Sequence, residues 1–446
     1  MRPSVNLLST HNPWSNLYSF NSNTIMTTIQ NPTDTTISKN AKILIAVAAL
    51  GYFVDVYDLI LFGVVRNPSL ASLGLNKTQQ LTQGLTLFNI QMAGMLIGGI
   101  LWGIWGDKKG RKSVLFGSIL MYSTANTLNG FVNDTAFMDA ITQYGILRFI
   151  AGIGLAGELG AGITLVNETL PKEKRGIGAL LIAGTGALGA VTAAVVGGYS
   201  QDPEWWRTCY FIGGGMGLFL LILRFGTFES VLFQNVEKNV QKGNFLSLFT
   251  NRERFMKYFY CILIGLPVWY VVGILVLVAP EMSKALNVQG EISGGKTIMY
   301  CYAGLSIGDF LSGLISQILK SRKKTVYIFI GMAIIFTVIY LNAFGISANN
   351  FYWLCFILGF FGGYWAVFVT MSSEQFGTNI RATVTTTVPN FVRGALIPIT
   401  LGFRKLMPTY GLLNSAMIVG VICFAAAIWA TSQVEETFMK NLDYVE

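Results

Sequence analysis

The chain has 446 residues, of which 52% are hydrophobic and 12% charged, with a net charge of +9 and a mean hydropathy of +0.54. Soluble domains carry about 25% charged residues, so this chain has too few charges to cover a soluble globule of its size. Five charge-free runs are each long enough to cross a bilayer as a helix, and they lie at residues 86–106, 113–133, 176–201, 258–280 and 406–434. The composition therefore predicts a polytopic membrane protein.

Apolar runs between charges and turn residues predict an all-α fold with twelve membrane-spanning helices. The predicted spans are 43–65, 86–105, 114–132, 145–167, 176–198, 208–225, 257–279, 296–319, 325–345, 351–372, 383–403 and 411–431. Residues 1–40 lack a cationic start followed by an apolar core, so we expect a disordered tail and not a signal peptide. Met26 is an alternative start of the chain.

The distribution of Lys and Arg predicts the orientation, because cytoplasmic loops retain these residues. With the amino terminus inside, the predicted inner segments hold three times as many Lys and Arg residues as the outer loops. We therefore expect a multi-pass protein of a bacterial inner membrane with both termini in the cytoplasm. The net positive charge is a topology signal, and no basic stripe indicates a nucleic acid partner.

The spans form two similar groups of six. Gly94, Gly98 and Gly103 precede one basic loop at 107–112, and Gly304, Gly308 and Gly313 precede another at 320–324. Repeats of this kind place a solute site near the midplane between the halves. The predicted domains are a cytoplasmic tail at 1–40, a six-helix bundle at 41–225, a cytoplasmic loop with an interfacial helix at 226–256, a second bundle at 257–433 and a tail at 434–446.

Several segments resemble motifs of the major facilitator superfamily. GIWGDKKGRK at 103–112 resembles its signature loop between the second and third helices. NETLPKEKRG at 167–176 is similar to the motif that ends the fourth helix, and SEQFGTNIRAT at 373–383 is its partner in the second half. GYFVDVYDLILF at 51–62 and GLAGE at 154–158 resemble metabolite:proton symporters, and the former also resembles aromatic-acid:proton symporters.

The resemblance covers about residues 41–435 and implies two six-helix bundles that rock around a central solute. Val56 departs from the metabolite:proton pattern, which has Trp there. The resemblance also implies a cytoplasmic gate of ion pairs and small residues, made by Gly103, Asp107, Gly110, Arg111, Glu168, Arg175, Glu374 and Arg381. The alternative is that the basic residues of these loops only determine topology.

The glycines at 152, 154 and 157 have the G-x-G-x-x-G spacing of a dinucleotide-binding turn. That motif requires a strand before it and a helix opening after it, whereas 145–167 is one apolar helical span. Small residues four apart, here Gly152, Ala156 and Gly160, let membrane helices approach closely. The pattern therefore favours helix packing over nucleotide binding.

Four charged residues lie inside the first and fourth spans. Asp55 and Asp58 share a helix face about 60° wide, and Glu158 has mostly small neighbours on its helix. In the superfamily these two helices line the cavity, so the resemblance implies one network with Arg148. Charges at this depth are costly unless paired or hydrated, and any proton relay must use these carboxylates because the spans contain no histidine. A static ion pair between the helices is the alternative.

Asp309 and Arg393 are the central charges of the second half. They either pair with each other or bind the ammonium and carboxylate groups of a solute. Tyr57 is a candidate to line the same pathway. His11 is the only histidine and the five cysteines stand singly, so we expect no metal site, no cofactor and buried thiols.

We therefore expect a monomeric secondary transporter, and not an enzyme, that takes up a small polar organic solute with protons by alternating access. The buried charges suit an amino acid, a betaine-like zwitterion or an organic acid better than a neutral sugar. An efflux or exchange transporter is an alternative, although AGTGALGAV at 183–191 lacks the Gly-Pro motif of superfamily antiporters. A nutrient sensor that does not transport is another.

Overall fold

The computed structural model describes residues 39–162, 175–224 and 247–440, together with Leu170 and Phe245. Nine helices in this part of the chain are long and apolar enough to cross a membrane. In chain order the main helices are α1 (Lys39–Ser72), α2 (Lys77–Lys109), α3 (Arg111–Asn129), α4 (Ala140–Gly162), α5 (Arg175–Gly197), α6 (Trp205–Leu223), α7 (Arg252–Val276), α8 (Gly294–Ile318), α9 (Arg322–Leu341), α10 (Ala348–Glu374), α11 (Arg381–Gly394) and α12 (Leu396–Gln433).

Each predicted span corresponds to helical structure, and the prediction of an all-α fold with twelve spans is confirmed. The last two spans lie in one apolar stretch, Thr383–Gln433. Gly411 divides it, because its φ of +75° lies outside the helical region. The first part of α12, residues 396–410, therefore completes the crossing that α11 begins. The second part, residues 412–433, forms the last crossing. Helices α3 and α5 are the remaining two of the twelve predicted spans, although they are not among the nine helices that are long and apolar enough to cross a membrane.

Several helices begin earlier than hydropathy predicts, because a capping side chain precedes their first turn. Asn76 begins α2 nine residues earlier than predicted, because its side chain accepts a hydrogen bond from the Gln79 amide at 3.0 Å while the Gln79 side chain accepts one from the Asn76 amide at 3.0 Å. Asp139 begins α4 in the same manner by accepting from Thr142 N at 2.9 Å. Polar first turns thus extend the helices beyond their apolar segments.

Glycines show the internal repeat in three dimensions. Gly94 and Gly98 of α2 lie against the backbone of α4, where an added Cβ would meet Phe149 and Ile153. Gly304 and Gly308 of α8 lie in the same way against the backbone of α10, at Phe356 and Phe360. The repeated pattern therefore makes the same helix contact once in each half.

The glycines of α4 pack against other helices, as predicted. A Cβ at Gly152 would meet the backbone of Gln91, one at Gly154 would lie 2.6 Å from the Tyr122 amide nitrogen, and one at Gly157 would lie 2.9 Å from the Ser118 Cβ. The G-x-G-x-x-G spacing thus serves close helix approach. The five cysteines are all buried and unpaired, as also predicted.

Breaks in α7 and α10 bring irregular backbone to the centre of the second half. Helix α7 contains Pro267 and continues as a π-helical segment at Val271–Val276, a rare form that is frequent at functional sites. Helix α10 is interrupted at Gly363 and Tyr364, between its parts Ala348–Gly362 and Trp365–Glu374. Both breaks lie beside the cavity described below.

The helices α1–α6 form the first half of the bundle and α7–α12 the second half. Between the halves, α2 packs on α11 and α5 packs on α8. We call the end with the loops at 107–112 and 320–324 the basic end, and the other end the opposite end. In the predicted central loop the structure describes a short helix, Ser247–Thr250, in which Leu248 is buried.

Candidate functional site

A small cavity lies between the two halves. Its volume is about 30 Å³, enough for one or two water molecules and far below the roughly 300 Å³ of a typical ligand pocket. Five helices line it, with the residues Tyr52, Val56, Leu59, Val268, Trp269, Val272, Tyr302, Leu305, Trp365 and Arg393. An organic solute therefore enters only if the halves separate on one side.

Arg393 is the single charged residue of this lining. It is 2% exposed, and its guanidinium lies 5.7 Å from the ring centre of Trp269 and 5.6 Å from that of Trp365. Nη1 donates to Asn390 Oδ1 at 3.0 Å, while Nε makes no hydrogen bond. No carboxylate in the described part of the chain forms a salt bridge with it. The cavity thus presents a buried cation that forms no salt bridge with a described carboxylate.

Asp309 does not pair with Arg393, which decides against one of the two alternatives from the sequence. Its Oδ1 accepts a hydrogen bond from Ala366 N at 3.0 Å, just after the break in α10. Its Oδ2 is buried and makes no hydrogen bond. Asp309 does not belong to the cavity lining.

Asp55 and Asp58 are fully buried in α1, and none of their four carboxylate oxygens makes a hydrogen bond. Asp55 interacts electrostatically with Arg393, Glu158 and Arg224, and with Asp58 itself. The main charged neighbour of Asp58 is Arg148. The predicted proximity of the charges on α1 and α4 is therefore present, and it includes a cation from the second half.

Glu158 has a different partner from the one expected. Both of its carboxylate oxygens accept hydrogen bonds from Arg224, one of them at 2.9 Å, and Arg224 also donates to Leu115 O at 3.2 Å. Both side chains are buried. Gly51 makes room for the pair, because a Cβ there would collide with both groups. Arg224 stands at the end of the predicted span 208–225, and its side chain turns back from the end of α6 into the bundle.

The hydrogen-bond partners of Arg148 are neutral, although Asp58 is a charged neighbour. Its guanidinium donates to the Gln91 side chain and to Asn126 Oδ1 at 3.5 Å, and it stacks 5.4 Å from the Phe62 ring centre and 5.7 Å from that of Tyr210. It therefore does not pair directly with Glu158. The sequence did not indicate Gln91 and Asn126 as partners, because neutral polar residues give no distinct hydropathy signal.

Tyr57 faces away from the cavity, contrary to its predicted place on the pathway. Its hydroxyl donates to Cys209 O at 3.0 Å and so holds α1 against α6. Tyr52, Val56 and Leu59 line the cavity instead. The spacing of these three residues matches one helix face, and the sequence alone does not say which face meets the second half.

At the basic end, Glu374 pairs with Arg322, which was not among the gate residues that the resemblance implies. Arg322 Nε and Nη2 lie 3.0 and 2.9 Å from the two carboxylate oxygens, whereas Arg381 Nε donates to Phe376 O at 3.3 Å. Arg322 belongs to the basic loop at 320–324, and it reaches Glu374 because the start of α9 lies beside the end of α10. Gly110 has φ +90° and joins α2 to α3.

Other predicted gate residues are less completely described. Glu168 lies outside the described residues, as do the side chains of Asp107, Arg111 and Arg175. Gly103 is described, and a Cβ there would lie 3.2 Å from the Cα of Thr383 on α11. It therefore belongs to a close contact between the halves at the basic end.

The halves meet on both sides of the cavity. Toward the basic end, a Cβ at Gly160 would lie 2.5 Å from the Thr386 Cα, and one at Gly99 would lie 2.8 Å from the Asn390 Cβ. Toward the opposite end, Arg66 Nη2 lies 3.2 Å from Glu281 Oε1. The cavity therefore lies between contacts of the two halves toward either end.

The family model of the major facilitator superfamily matches residues 48–401. The chain belongs to this superfamily. It is 26% identical over 416 residues to the cis,cis-muconate transport protein of Acinetobacter baylyi, covering 90% of this chain and 95% of that protein. It is 28% identical over 373 residues to a putative metabolite transport protein of Haemophilus influenzae, covering 80% and 87%.

The fold of this superfamily member is also that of a solved relative. The crystal structure of a D-xylose-proton symporter has a TM-score of 0.66 and 19% identity, covering 89% of this chain and 98% of that one. The resemblance found in the sequence motifs is therefore confirmed. This superfamily member is a multi-pass membrane transporter and not an enzyme.

Proposed function

We propose that this transporter takes up a small organic acid together with protons, by alternating access. The observation that carries the proposal is Arg393, a buried cation in the cavity between the halves that hydrogen-bonds to a neutral amide and forms no salt bridge in the described part of the chain. A buried charge is costly until a counter-ion reaches it, and a guanidinium matches a carboxylate through paired hydrogen bonds. A solute carboxylate supplies that counter-ion.

The walls of the cavity favour a flat or unsaturated body for this acid. Trp269 and Trp365 lie on the Arg393 guanidinium, and Tyr52 and Tyr302 also line the space. Aromatic side chains bury large apolar surfaces. The relative from Acinetobacter baylyi is named for cis,cis-muconate, and such an acid fits this chemistry. A zwitterion is less favoured, because Asp309 lies outside the lining and already binds Ala366 N.

Asp55 and Asp58 support proton coupling. A charged carboxylate without hydrogen bonds is costly inside a membrane, and a bound proton removes the charge. Asp55 interacts with Arg393 and with the Glu158–Arg224 pair, so its protonation responds to the charge of a bound acid. In this proposal the two aspartates carry the protons that accompany the solute.

A binding panel tests the substrate class. Thermal stabilisation of the purified protein is measured with cis,cis-muconate, benzoate, glycine betaine, amino acids and D-xylose. We expect stabilisation by the unsaturated acids. Stabilisation by neutral sugars alone would contradict the proposal.

Transport in proteoliposomes tests the coupling. Uptake of the acid that binds should rise with an imposed pH gradient, and Asp55→Asn with Asp58→Asn should abolish accumulation while leaving exchange. Asp139→Asn is the matched control, because it changes an exposed helix cap to another good cap. Uptake that does not depend on the pH gradient would exclude proton coupling. Net export would support the efflux alternative, and binding without transport would support the nutrient sensor.

We propose further that the basic end faces the cytoplasm and gates transport. The Lys and Arg residues of its loops support that orientation, and the Arg322–Glu374 pair supports the gate. The proposed topology has both termini in the cytoplasm of a bacterial inner membrane, a monomer, and half-bundles at 41–225 and 257–433. Labelling of single cysteines at Lys108 and Lys320 from the cytoplasmic side only would support it, and labelling from outside would overturn it.

A further inference from the structure

The amide of Asn390 connects the cavity to the contact between the halves at the basic end. Asn390 is 2% exposed and lies on α11, three residues before Arg393. Its Oδ1 accepts from Arg393 Nη1 at 3.0 Å. Its Nδ2 donates to Ala156 O of α4 at 2.8 Å and to Thr386 O of its own helix at 2.7 Å. One side chain therefore joins the cavity cation to a helix of the other half.

The acceptor on α4 lies at a weak point of that helix. Residues 156 and 157 form a turn that interrupts the helical hydrogen bonding, and Gly157 N reaches Gly154 O at 3.3 Å. Glu158, with its partner Arg224, follows directly. A change in the hydrogen bond to Ala156 therefore acts at a bend, next to the buried ion pair of the first half.

The neighbours of Asn390 leave little freedom to its amide. A Cβ at Gly99 of α2 would lie 2.8 Å from the Asn390 Cβ, and Gly160 of α4 is pressed against Thr386 one turn away. The amide uses both protons and its oxygen in hydrogen bonds. An amide whose oxygen and both N–H groups are hydrogen-bonded has one orientation. Loss of the Arg393 contact removes one of these three hydrogen bonds.

We propose that Asn390 is the positioning residue that couples solute binding at Arg393 to opening of the basic end. This rests on the proposed binding of a solute carboxylate by Arg393. A carboxylate is a stronger acceptor for a guanidinium than a neutral amide is, so it displaces Asn390 Oδ1 from Nη1. The freed amide rotates, its bond to Ala156 O breaks, and α4 and α11 separate.

Spin labels at the basic end measure this separation. Lys108 and Lys320 are exposed residues of the two halves, and both are changed to cysteine in a chain whose five native cysteines are replaced. Double electron–electron resonance then gives the fraction of molecules with the longer, open distance. Asn390→Ala should raise this fraction about fivefold without any solute, as expected for loss of one hydrogen bond.

Two further variants separate the donor and acceptor roles. Asn390→Asp keeps an acceptor for Arg393 but has no protons for Ala156, so it should also raise the open fraction. Asn89→Ala is the matched control: Asn89 Nδ2 donates across the halves to Thr400 Oγ1 at 3.0 Å, away from Arg393. This control should leave the distance at the basic end unchanged. Elution as a single species shows that each variant is folded.

A double-variant cycle tests the coupling without a solute, so it stands even if the proposed substrate class is wrong. Arg393→Leu removes the partner of the amide and should open the basic end by itself. Combined with Asn390→Ala it should add nothing, because both changes break the same connection. Benzoate and cis,cis-muconate, used as probes, should raise the open fraction in the parent but not in Asn390→Ala.

Three results would overturn the proposal. The first is a parental open fraction in both Asn390→Ala and Asn390→Asp. The second is additive opening by Arg393→Leu and Asn390→Ala. The third is an equal response to the probes in the parent and in Asn390→Ala. A parent that ignores both probes refutes the proposed substrates only, and the cycle still decides the role of Asn390.

Discussion

Arg224 and Arg393 are both buried arginines, but their surroundings differ. Arg224 binds both carboxylate oxygens of Glu158 and a backbone carbonyl, within one half of the bundle. Arg393 has a neutral amide and two indole rings, and it faces the cavity between the halves. A buried arginine that is paired with a carboxylate, such as Arg224, stabilises the fold. A buried arginine that forms no salt bridge, such as Arg393, is available to the carboxylate of a solute.

The comparison extends to the carboxylates. Glu158 is fully paired, while Asp55 and Asp58 in the same half make no hydrogen bonds. Because an isolated charge is costly at such a depth, the two aspartates are suited to exchange protons and Glu158 is suited to hold α4 to α6. Burial alone therefore does not identify a functional charge, and the number of its partners separates the two classes.

The largest effect is expected where the satisfied pair is broken. Arg224→Ala leaves Glu158 buried without its counter-ion, which costs about 3–5 kcal/mol. The melting temperature in detergent should fall strongly. Arg393→Ala should melt closer to the parent, since it removes a cation that forms no salt bridge.

The double variant Glu158→Leu with Arg224→Met checks this explanation. Replacement of a buried pair by apolar residues of similar size is often neutral, so stability should return toward that of the parent. If Arg224→Ala and Arg393→Ala melt alike, the distinction between the two arginines is wrong.

The next effect concerns binding. Arg393→Lys keeps the charge but loses the planar fork and the stacking on two indoles, so kcat/KM for uptake of the acid should fall about 100-fold. Initial rates in proteoliposomes measure it. Arg207→Lys, in the first turn of α6, is the control and should stay within about twofold because Arg207 lies outside the cavity. Equal rates for the Arg393 and Arg207 variants would exclude Arg393 as the solute cation.

A smaller effect is expected at the contact between the halves. Gly160→Ala places a methyl group against Thr386 and should destabilise the closed basic end by about 1–3 kcal/mol. Gly162→Ala is the matched control two residues away, since its methyl group would lie 3.8 Å from the Ala48 Cβ, an ordinary contact. The spin-label distance between positions 108 and 320 should lengthen only in the first variant. Lengthening in both would mean that the effect is not local.

The smallest effect concerns the segment after α12. Although partial burial opposes ionisation, hydrogen bonds from the Ser321 hydroxyl and the Arg322 amide hold the pKa of Glu436 below its ordinary value of 4.5. A lowered pKa stabilises the fold above 4.5 and ceases to do so as the pH falls through the lowered value. Glu436→Gln should therefore cost about 1 kcal/mol at pH 7, and less as the medium is acidified.

Glu435→Gln is the control for this prediction. Glu435 is more exposed and pairs with Lys440 at 3.1 Å, and such surface pairs contribute little. Thermal melts of both variants are measured between pH 7 and pH 3, so that the range includes the pH values below 4.5 at which the difference should shrink. A constant difference between Glu436→Gln and the parent over this range would contradict the assignment.

The sequence predicted the elements of the fold because hydropathy, charge and length are local properties. The predicted spans coincide with apolar helical segments, only some of which are free of charges. The charges singled out inside the spans are all buried, namely Asp55, Asp58, Arg148, Glu158, Asp309 and Arg393. The glycine rows were correctly assigned to packing, since an apolar helix offers no strand for a nucleotide-binding turn.

Partners across the fold were not predictable in the same way. Glu158 pairs with Arg224 across 66 residues, and Glu374 pairs with Arg322 across 52. Both arginines follow the end of an apolar run or precede the start of one, where a cation also serves topology. Only the buried Glu158, which requires a cation, indicated in the sequence that an arginine such as Arg224 would lie nearby. Asn390 was indicated more weakly, by its position about one helical turn before Arg393.

The amino-acid sequence by itself determined the membrane class, the number of crossings, the repeat and which charges are buried, because each follows from residues close together in the chain. Only the tertiary structure decided which charges are satisfied. That depends on side-chain direction and on the meeting of helices far apart in sequence, as the opposite orientations of Tyr57 and Tyr52 on one helix show.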